Sequence, residues 1–220
     1  MHPAHPMVGV SRSLGIFRPS RSQDDFSIVG SARSLTVTLV SGDISGHVAA
    51  TLGSLRRMLR HRLNAECRFS FIDLAEGFSE LDHLETTDCA VLLHQGITIL
   101  QSPSQWRLDL FGDSHPNPSG QPMGEMEVVP ASPHHPLLDG VAAFATQSDP
   151  FVRSLPADGI CLLLGRTNDA NHPVAWARDT DDGRQFHTSL GSSDDLRQPS
   201  FCRILVNAVD WIAKASAPGT

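Results

Sequence analysis

From Leu35 onward the apolar positions fall into short runs of two kinds. Leu35-Thr-Val-Thr-Leu-Val40 is rich in β-branched residues and is closed by Ser41-Gly42-Asp43, which predicts a strand running into a turn. Between His47 and Leu63, Val48, Leu52, Leu55, Met58, Leu59 and Leu63 recur every three or four positions, the spacing that gathers side chains on one helix face. Two further extended runs follow, Cys67 to Ile72 before Asp73 and Cys89 to Leu93 before His94-Gln95-Gly96. Strands alternating with helix-length connections predict a parallel sheet covered on both faces.

Residues 101 to 135 break that rhythm with Pro103, Pro116, Pro118, Pro122, Pro130 and Pro133. Within them only Gly124 to Val129 reads as a strand, half-exposed by its alternation. His135-Pro-Leu-Leu-Asp-Gly140 predicts a short turn or helix, and Ile160 to Leu164 a buried strand. His172 to Arg178 and Gly183 to Gly191 are extended segments around a tight turn. A closing helix from Pro199 to Lys214 places Phe201, Ile204, Leu205, Ala208, Trp211 and Ile212 on one stripe that should pack on the sheet. Residues 1–33 mix Pro, Ser, Arg and His without periodicity, so they are expected to form a dispensable disordered leader before a domain at 34–215 and a tail at 216–220.

A chain of 220 residues with 40% apolar content has enough material for one sizeable core, and one domain is expected. The net charge of -7 and scattered basic residues argue against a nucleic-acid partner. The exception, Arg56, Arg57, Arg60 and Arg62, reads as a solvated helix face. Cys67, Cys89, Cys161 and Cys202 lie in apolar segments without metal or redox spacing, which suggests buried thiols in a reducing compartment. No run is apolar enough for a bilayer, and the N-terminus lacks the core of a secretory signal, so no membrane partner and a cytoplasmic location are expected. None of the eleven His falls in a metal-ligand spacing, and no metal or cofactor is expected.

Several of these segments resemble, in order, the ThuA-like (trehalose utilisation) family, whose fold is similar to that of class I glutamine amidotransferases. The matching positions are Val40-Ser-Gly-Asp43 with His47, Leu84 to Val91, His135 to Gly140, Pro173-Val-Ala-Trp176, Gly183-Arg184 with Thr188-Ser-Leu-Gly191, and Phe201 to Trp211. The resemblance implies a three-layer α/β/α sandwich around a mostly parallel, flavodoxin- or Rossmann-like sheet. It also exposes two departures. Residues 95–134 are too short and proline-rich for the crossover helix and Gly-rich strand end that members of the family carry there, so the middle is shortened. Ser192 stands where the family tends to have a His after Thr-Ser-Leu-Gly. The related amidotransferases hold a nucleophilic Cys on a strand-to-helix turn, and no Cys here occupies one, so glutaminase chemistry is not expected.

In open parallel sheets ligands collect beyond the carboxyl ends of the strands. That rule gathers Asp43, His47, Asp73, His94 and the Ser189 to Asp195 loop, with Asp194 among them, around one crevice. Carboxylates beside imidazoles bind sugar hydroxyls or act as acid and base, since each offers lone pairs or a proton titrating near neutrality. Each residue also has a structural reading. Asp43 suits a helix cap or Asx turn, His47 a solvated first turn, His94 and His187 the rim of the core, and His134 and His135 a turn held through backbone bonds. Trp176 and Trp211 read as core aromatics, although a rim indole also stacks on a sugar. Ser189 lacks the Gly-x-Ser-x-Gly context of a nucleophile. The expected function is binding or processing of a small carbohydrate or sugar-derived ligand, catalysis being open. The alternatives are a catalytically degenerate scaffold or homo-oligomer on the same fold and, behind it, a divergent amidase or hydrolase.

Overall fold

The computed structural model describes residues 35–41, 46–63, 65–71, 87–94, 96–101, 114–115, 125–147, 152–153, 155–167 and 170–215. Among these described residues, eleven strands and two α-helices run in the order β1 (Thr36–Ser41), α1 (Gly46–Leu63), β2 (Glu66–Phe71), β3 (Cys89–Leu93), β4 (Ile97–Leu100), β5 (Ser114–His115), β6 (Met126–Pro130), β7 (Phe144–Thr146), β8 (Val152–Arg153), β9 (Ile160–Arg166), β10 (Asn171–Thr180), β11 (Gly183–Thr188) and α2 (Pro199–Ala215). Nine strands form one sheet in the order β2-β1-β3-β4-β11-β10-β9-β6-β7, and β5 pairs with β8 in a separate two-stranded ladder. The predicted leader, residues 1–33, and the tail, 216–220, lie outside the described residues.

The sheet is mixed and mostly antiparallel, which corrects the expectation of a mostly parallel one. Only β1 with β2 and β1 with β3 run parallel; β3–β4, β4–β11, β11–β10, β10–β9, β9–β6 and β6–β7 are all antiparallel. The cause is connection length. A parallel neighbour needs a crossover of about a dozen residues or more, and the β1-to-β2 passage has one in α1. Between β3 and β4 there are only residues 94–96, because Leu93 already faces Ile97. At the other end Thr180 faces Gly183 across Asp181 and Asp182, a two-residue hairpin whose Gly183 has φ +119°.

Both described helices pack on one face of the sheet. Leu52, Leu55 and Leu59 of α1, and Phe201, Ile204, Leu205, Ala208, Val209 and Ile212 of α2, join Val37, Leu39, Val91, Ile97, Ile99 and Phe186 in a single core cluster. The three-layer arrangement with helices on both faces is therefore not seen among the described residues. Alternation puts Thr38, Val40, Leu92, Thr98, Gln185 and His187 on the opposite face, and all are buried. Arg56, Arg57, Arg60 and Arg62 are exposed on α1, the solvated face expected of them. Trp211 departs from its predicted core position. It is half-buried at the rim of α2, with the Arg184 guanidinium 4.6 Å from its ring centroid and His135 edge-on at 5.9 Å. No described helix is long and apolar enough to cross a membrane.

His135 holds its turn as the sequence predicts. Its Nδ1 accepts from the Leu137 N–H at 3.3 Å, capping the short 3-10 turn Pro136–Leu138. Burial pushes its pKa below the ordinary histidine value, which keeps the accepting nitrogen unprotonated.

Candidate functional site

Strand direction decides which loops meet. Because β4 is antiparallel to both β3 and β11, β11 runs in the same sense as β1 and β3. The carboxyl ends of β1, β3 and β11 therefore share one sheet edge. Along it Ser41, Leu93, Ile97 and Thr188 stand in one cross-strand row. Immediately past the row come His94, Gly96 and Ser189, and α1 opens at Gly46, a short connection beyond Ser41.

Gly96 is what lets this edge close. At φ +118° it lies in a region that disfavours side chains, and a Cβ built there would sit 2.2 Å from the Thr188 carbonyl oxygen and 2.9 Å from Ser189 Cα. The turn after β3 is thus pressed directly onto the Thr188-Ser-Leu-Gly191 segment. Gly191 (φ +155°) packs against Ile97 in the same way, with side-chain carbon at 3.0 Å from its virtual Cβ.

The predicted candidates divide. His94 is half-buried at the edge, and its N–H donates to Gly96 O at 3.2 Å. Ser189 is at the same edge but buried, and its hydroxyl turns into the sheet. Its N–H donates to Val174 O at 3.0 Å and its Oγ approaches the same oxygen at 3.4 Å. Thr188 Oγ1 donates to that carbonyl as well, at 2.8 Å, and accepts from Leu190 N–H at 3.2 Å. Val174 O thus takes three donors on the β11 side, where the Ser189 N–H bond continues the β10–β11 ladder past the Ala175–Thr188 pair. Asp43 and Asp73 lie outside the described residues, and His47 falls in the first turn of α1 with its side chain outside them. Asp194 is exposed and its carboxylate pairs with Arg197 at 2.7 Å.

The residue that sequence reasoning passed over is the next one. Asp195 is fully buried; its Oδ2 accepts from the N–H groups of Gly191 and Ser192, both at 2.9 Å, and its Oδ1 accepts from Thr146 Oγ1 on β7. It shapes the loop after β11 and ties it to the far strand of the sheet. The signal was the Ser192-x-x-Asp195 spacing, which is that of a capping box with Asp in place of Glu.

Nucleophilic cysteine chemistry has no support in this geometry. Burial pushes the thiols of Cys67, Cys89, Cys161 and Cys202 upward, away from the thiolate that attack requires. Cys89 is buried and the other three are half-buried. Among the described residues no three His, Cys, Asp or Glu side chains gather as a metal cage would need.

One further cluster lies on the sheet face away from the helices. Trp176 of β10 faces His187 of β11, with ring centroids 5.3 Å apart, and His187 Nδ1 is 2.9 Å from Thr98 Oγ1. Arg178 and Gln185 form the next pair on that face of the ladder, joined by a bond from Arg178 Nε to Gln185 Oε1.

Comparison with known proteins agrees with the architecture. The family model described as ThuA, trehalose utilisation, matches residues 81–212, which is more than half of the chain. Among solved structures, a crystal structure of a protein described as ThuA-like, from Parabacteroides merdae, superposes with a TM-score of 0.57. It is 14% identical, and the match covers 83% of this chain and 91% of that one, a likeness of fold. No curated protein matches the sequence.

Proposed function

Because the chain belongs to the ThuA, trehalose-utilisation, family, we propose that it binds a small carbohydrate or sugar-derived ligand at the edge made by the carboxyl ends of β1, β3 and β11, as a protein of the cytoplasm. The observation that carries the reading is the shared direction of those three strands. It brings His94, the Thr188-to-Gly191 segment and the end of β1 at Ser41 to one edge. Ligands of α/β sheets collect at such edges, where loops diverge and helix N-termini point inward. An imidazole and a carboxylate, as His94 and Asp43 would supply, suit the hydroxyls of a sugar by their donor and acceptor chemistry.

The test is calorimetry and thermal-shift measurement of the full chain against trehalose, glucose and gluconate. A bound ligand raises the melting temperature. Asp43→Ala and His94→Ala should each weaken the binding about tenfold, the loss of one good hydrogen bond. Unchanged affinity in both variants sinks the edge reading.

One observation favours a scaffold reading beside it. The hydroxyl of Ser189 and the carboxylate of Asp195 are spent on the fold itself, and Asp194 is in a surface ion pair. A degenerate site leaves such residues structural. On that reading the chain assembles with a second copy, which sedimentation at several concentrations would detect as a mass twice that of the monomer.

A further inference from the structure

The net charge of the chain is -7, yet α1 contains no Asp or Glu, and its four arginines all lie between Arg56 and the helix end at Leu63. A helix carboxyl end favours cations within its last turn, which accounts for Arg60 and Arg62 but not for Arg57. Arg57 and Arg60 are exposed. Among the described residues neither makes a hydrogen bond or ion pair, whereas Arg56 and Arg62 are engaged within the chain. The opposite charge stands at the tip of the β10–β11 hairpin, where Asp181 and Asp182 are exposed and likewise make no ion pair among the described residues. Neighbouring charges pair within the chain: Glu66 with Arg68, Asp179 with Arg184 and Asp210 with Lys214.

Both features lie at the same end of the sheet. β2 begins at Glu66 beside Thr36, the start of β1, and the last turns of α1 lie over it, since Cys67 Sγ is 4.0 Å from Arg56 O. β11 begins at Gly183, and its Gln185 faces Leu100, which stands opposite Ala90 near the start of β3. The order β2-β1-β3-β4-β11 puts four strand spacings between the two, about 19 Å. That is about twice the Debye length of roughly 10 Å at 0.1 M salt, so within one chain the charges do not neutralise each other. A twofold axis at this end sets the arginines of one copy against the aspartates of another, and the same operation makes the reverse contact.

We propose that this end of the sheet is an interface between two copies of the chain, in which Asp181 and Asp182 of one hairpin dock on Arg57 and Arg60 of the other copy's α1, twice over. The proposal rests on the second-copy reading above and names its surface. Complementary charge steers the encounter and fixes the register of two chains whose net charges repel.

Sedimentation of the full chain across a wide concentration range, at about 0.1 M and about 1 M salt, tests this. Wild type should reach twice the monomer mass at low salt and associate about tenfold or more weakly at high salt, where the Debye length falls to about 3 Å. Arg57→Glu with Arg60→Glu in one chain, and Asp181→Arg with Asp182→Arg in a second, should each leave a monomer, because like charges then face each other. Mixed in equal amounts, the two variant chains should dimerise again, since every contact in the mixed pair joins opposite charges. That recovery also shows both to be folded. Wild type that stays monomeric throughout overturns this proposal and the second-copy reading together. A dimer that either variant leaves intact, or that salt tightens, overturns this surface alone and leaves the second-copy reading standing. Monomers in the mixture, with both variants melting as wild type does, overturn the pairing of these charges.

Discussion

Ser192 and Asp195 bond each other reciprocally: the Ser192 N–H donates to Asp195 Oδ2 at 2.9 Å, and the Asp195 N–H donates to Ser192 Oγ at 3.1 Å. This closes the loop that follows β11, and Asp195 extends the hold to Gly191 and to Thr146. Asp195→Ala should therefore destabilise the protein by about 3–5 kcal/mol, because it strands one buried and two half-buried donors at once. Ser192→Ala loses the cap and should cost about 1 kcal/mol. Urea unfolding of the two variants checks the order. A smaller loss for Asp195→Ala than for Ser192→Ala would contradict the central role given to the carboxylate.

Gly96→Ala should be among the most damaging single-methyl additions in the chain. The new Cβ meets backbone of Thr188 and Ser189, which cannot swing aside, at a φ that alone costs about 1–3 kcal/mol. Gly53 on α1 has nothing within 4 Å of its virtual Cβ, so Gly53→Ala should instead stabilise by about 0.5–1 kcal/mol. Melting temperatures of the pair should move in opposite directions.

The turn at His135 should make stability depend on pH. Burial lowers the folded-state pKa of this imidazole, so the unfolded chain takes up a proton more readily. The contribution of neutral His135 is complete above its unfolded value of about 6.5 and is lost as the pH falls through the lower folded value. Protonation also removes the acceptor for Leu137 N–H. Wild type should exceed His135→Ala in melting temperature at pH 8, and the gap should narrow by pH 5. A gap that widens toward acid would reverse the assignment.

Trp211→Ala should cost about 1–3 kcal/mol, below the roughly 3–5 of a fully buried tryptophan, because the ring is half-exposed and its contacts are Arg184 above and His135 at the edge. Arg184 also donates to Trp211 O at 2.9 Å and pairs with Asp179. Arg184→Met should thus lose part of the same energy, and the double variant should cost less than the sum of the singles. Additive losses in denaturant titrations would show the two side chains to be independent.

Most elements were legible because their periodicity is strong. The strand at Leu35–Val40, the helix to Leu63, Cys89–Leu93 and the stripe on Pro199–Lys214 all recur within a residue or two of their predicted bounds. β4 was missed because Ile97–Leu100 is only four residues, all buried, and shows no alternation to read. Strand direction is not written in periodicity at all; it was recoverable only from the brevity of the His94–Gly96 connection. Trp211 falls on the apolar stripe of its helix, yet Arg184 on the neighbouring strand draws it to the rim, a tertiary contact that a single-helix pattern does not contain. The buried carboxylate that shapes the loop is Asp195 and its neighbour Asp194 is exposed, and only the capping spacing from Ser192 separates these identical residues in the sequence.

The division of the sheet into a parallel flank and an antiparallel one implies an order of assembly. β9, β10 and β11 follow one another as adjacent antiparallel neighbours, with short excursions between them, so their pairing asks little loop-closure entropy of the chain. β3 meets β1 only after some fifty residues (Val37 against Cys89), and β4 meets β11 over a still longer interval (Leu100 against Gln185). The meander with α2 should nucleate and the amino-terminal flank should dock onto it later. Pulse-labelling hydrogen exchange during refolding would then show amides of Trp176 and Phe186 protected before those of Leu39 and Val91.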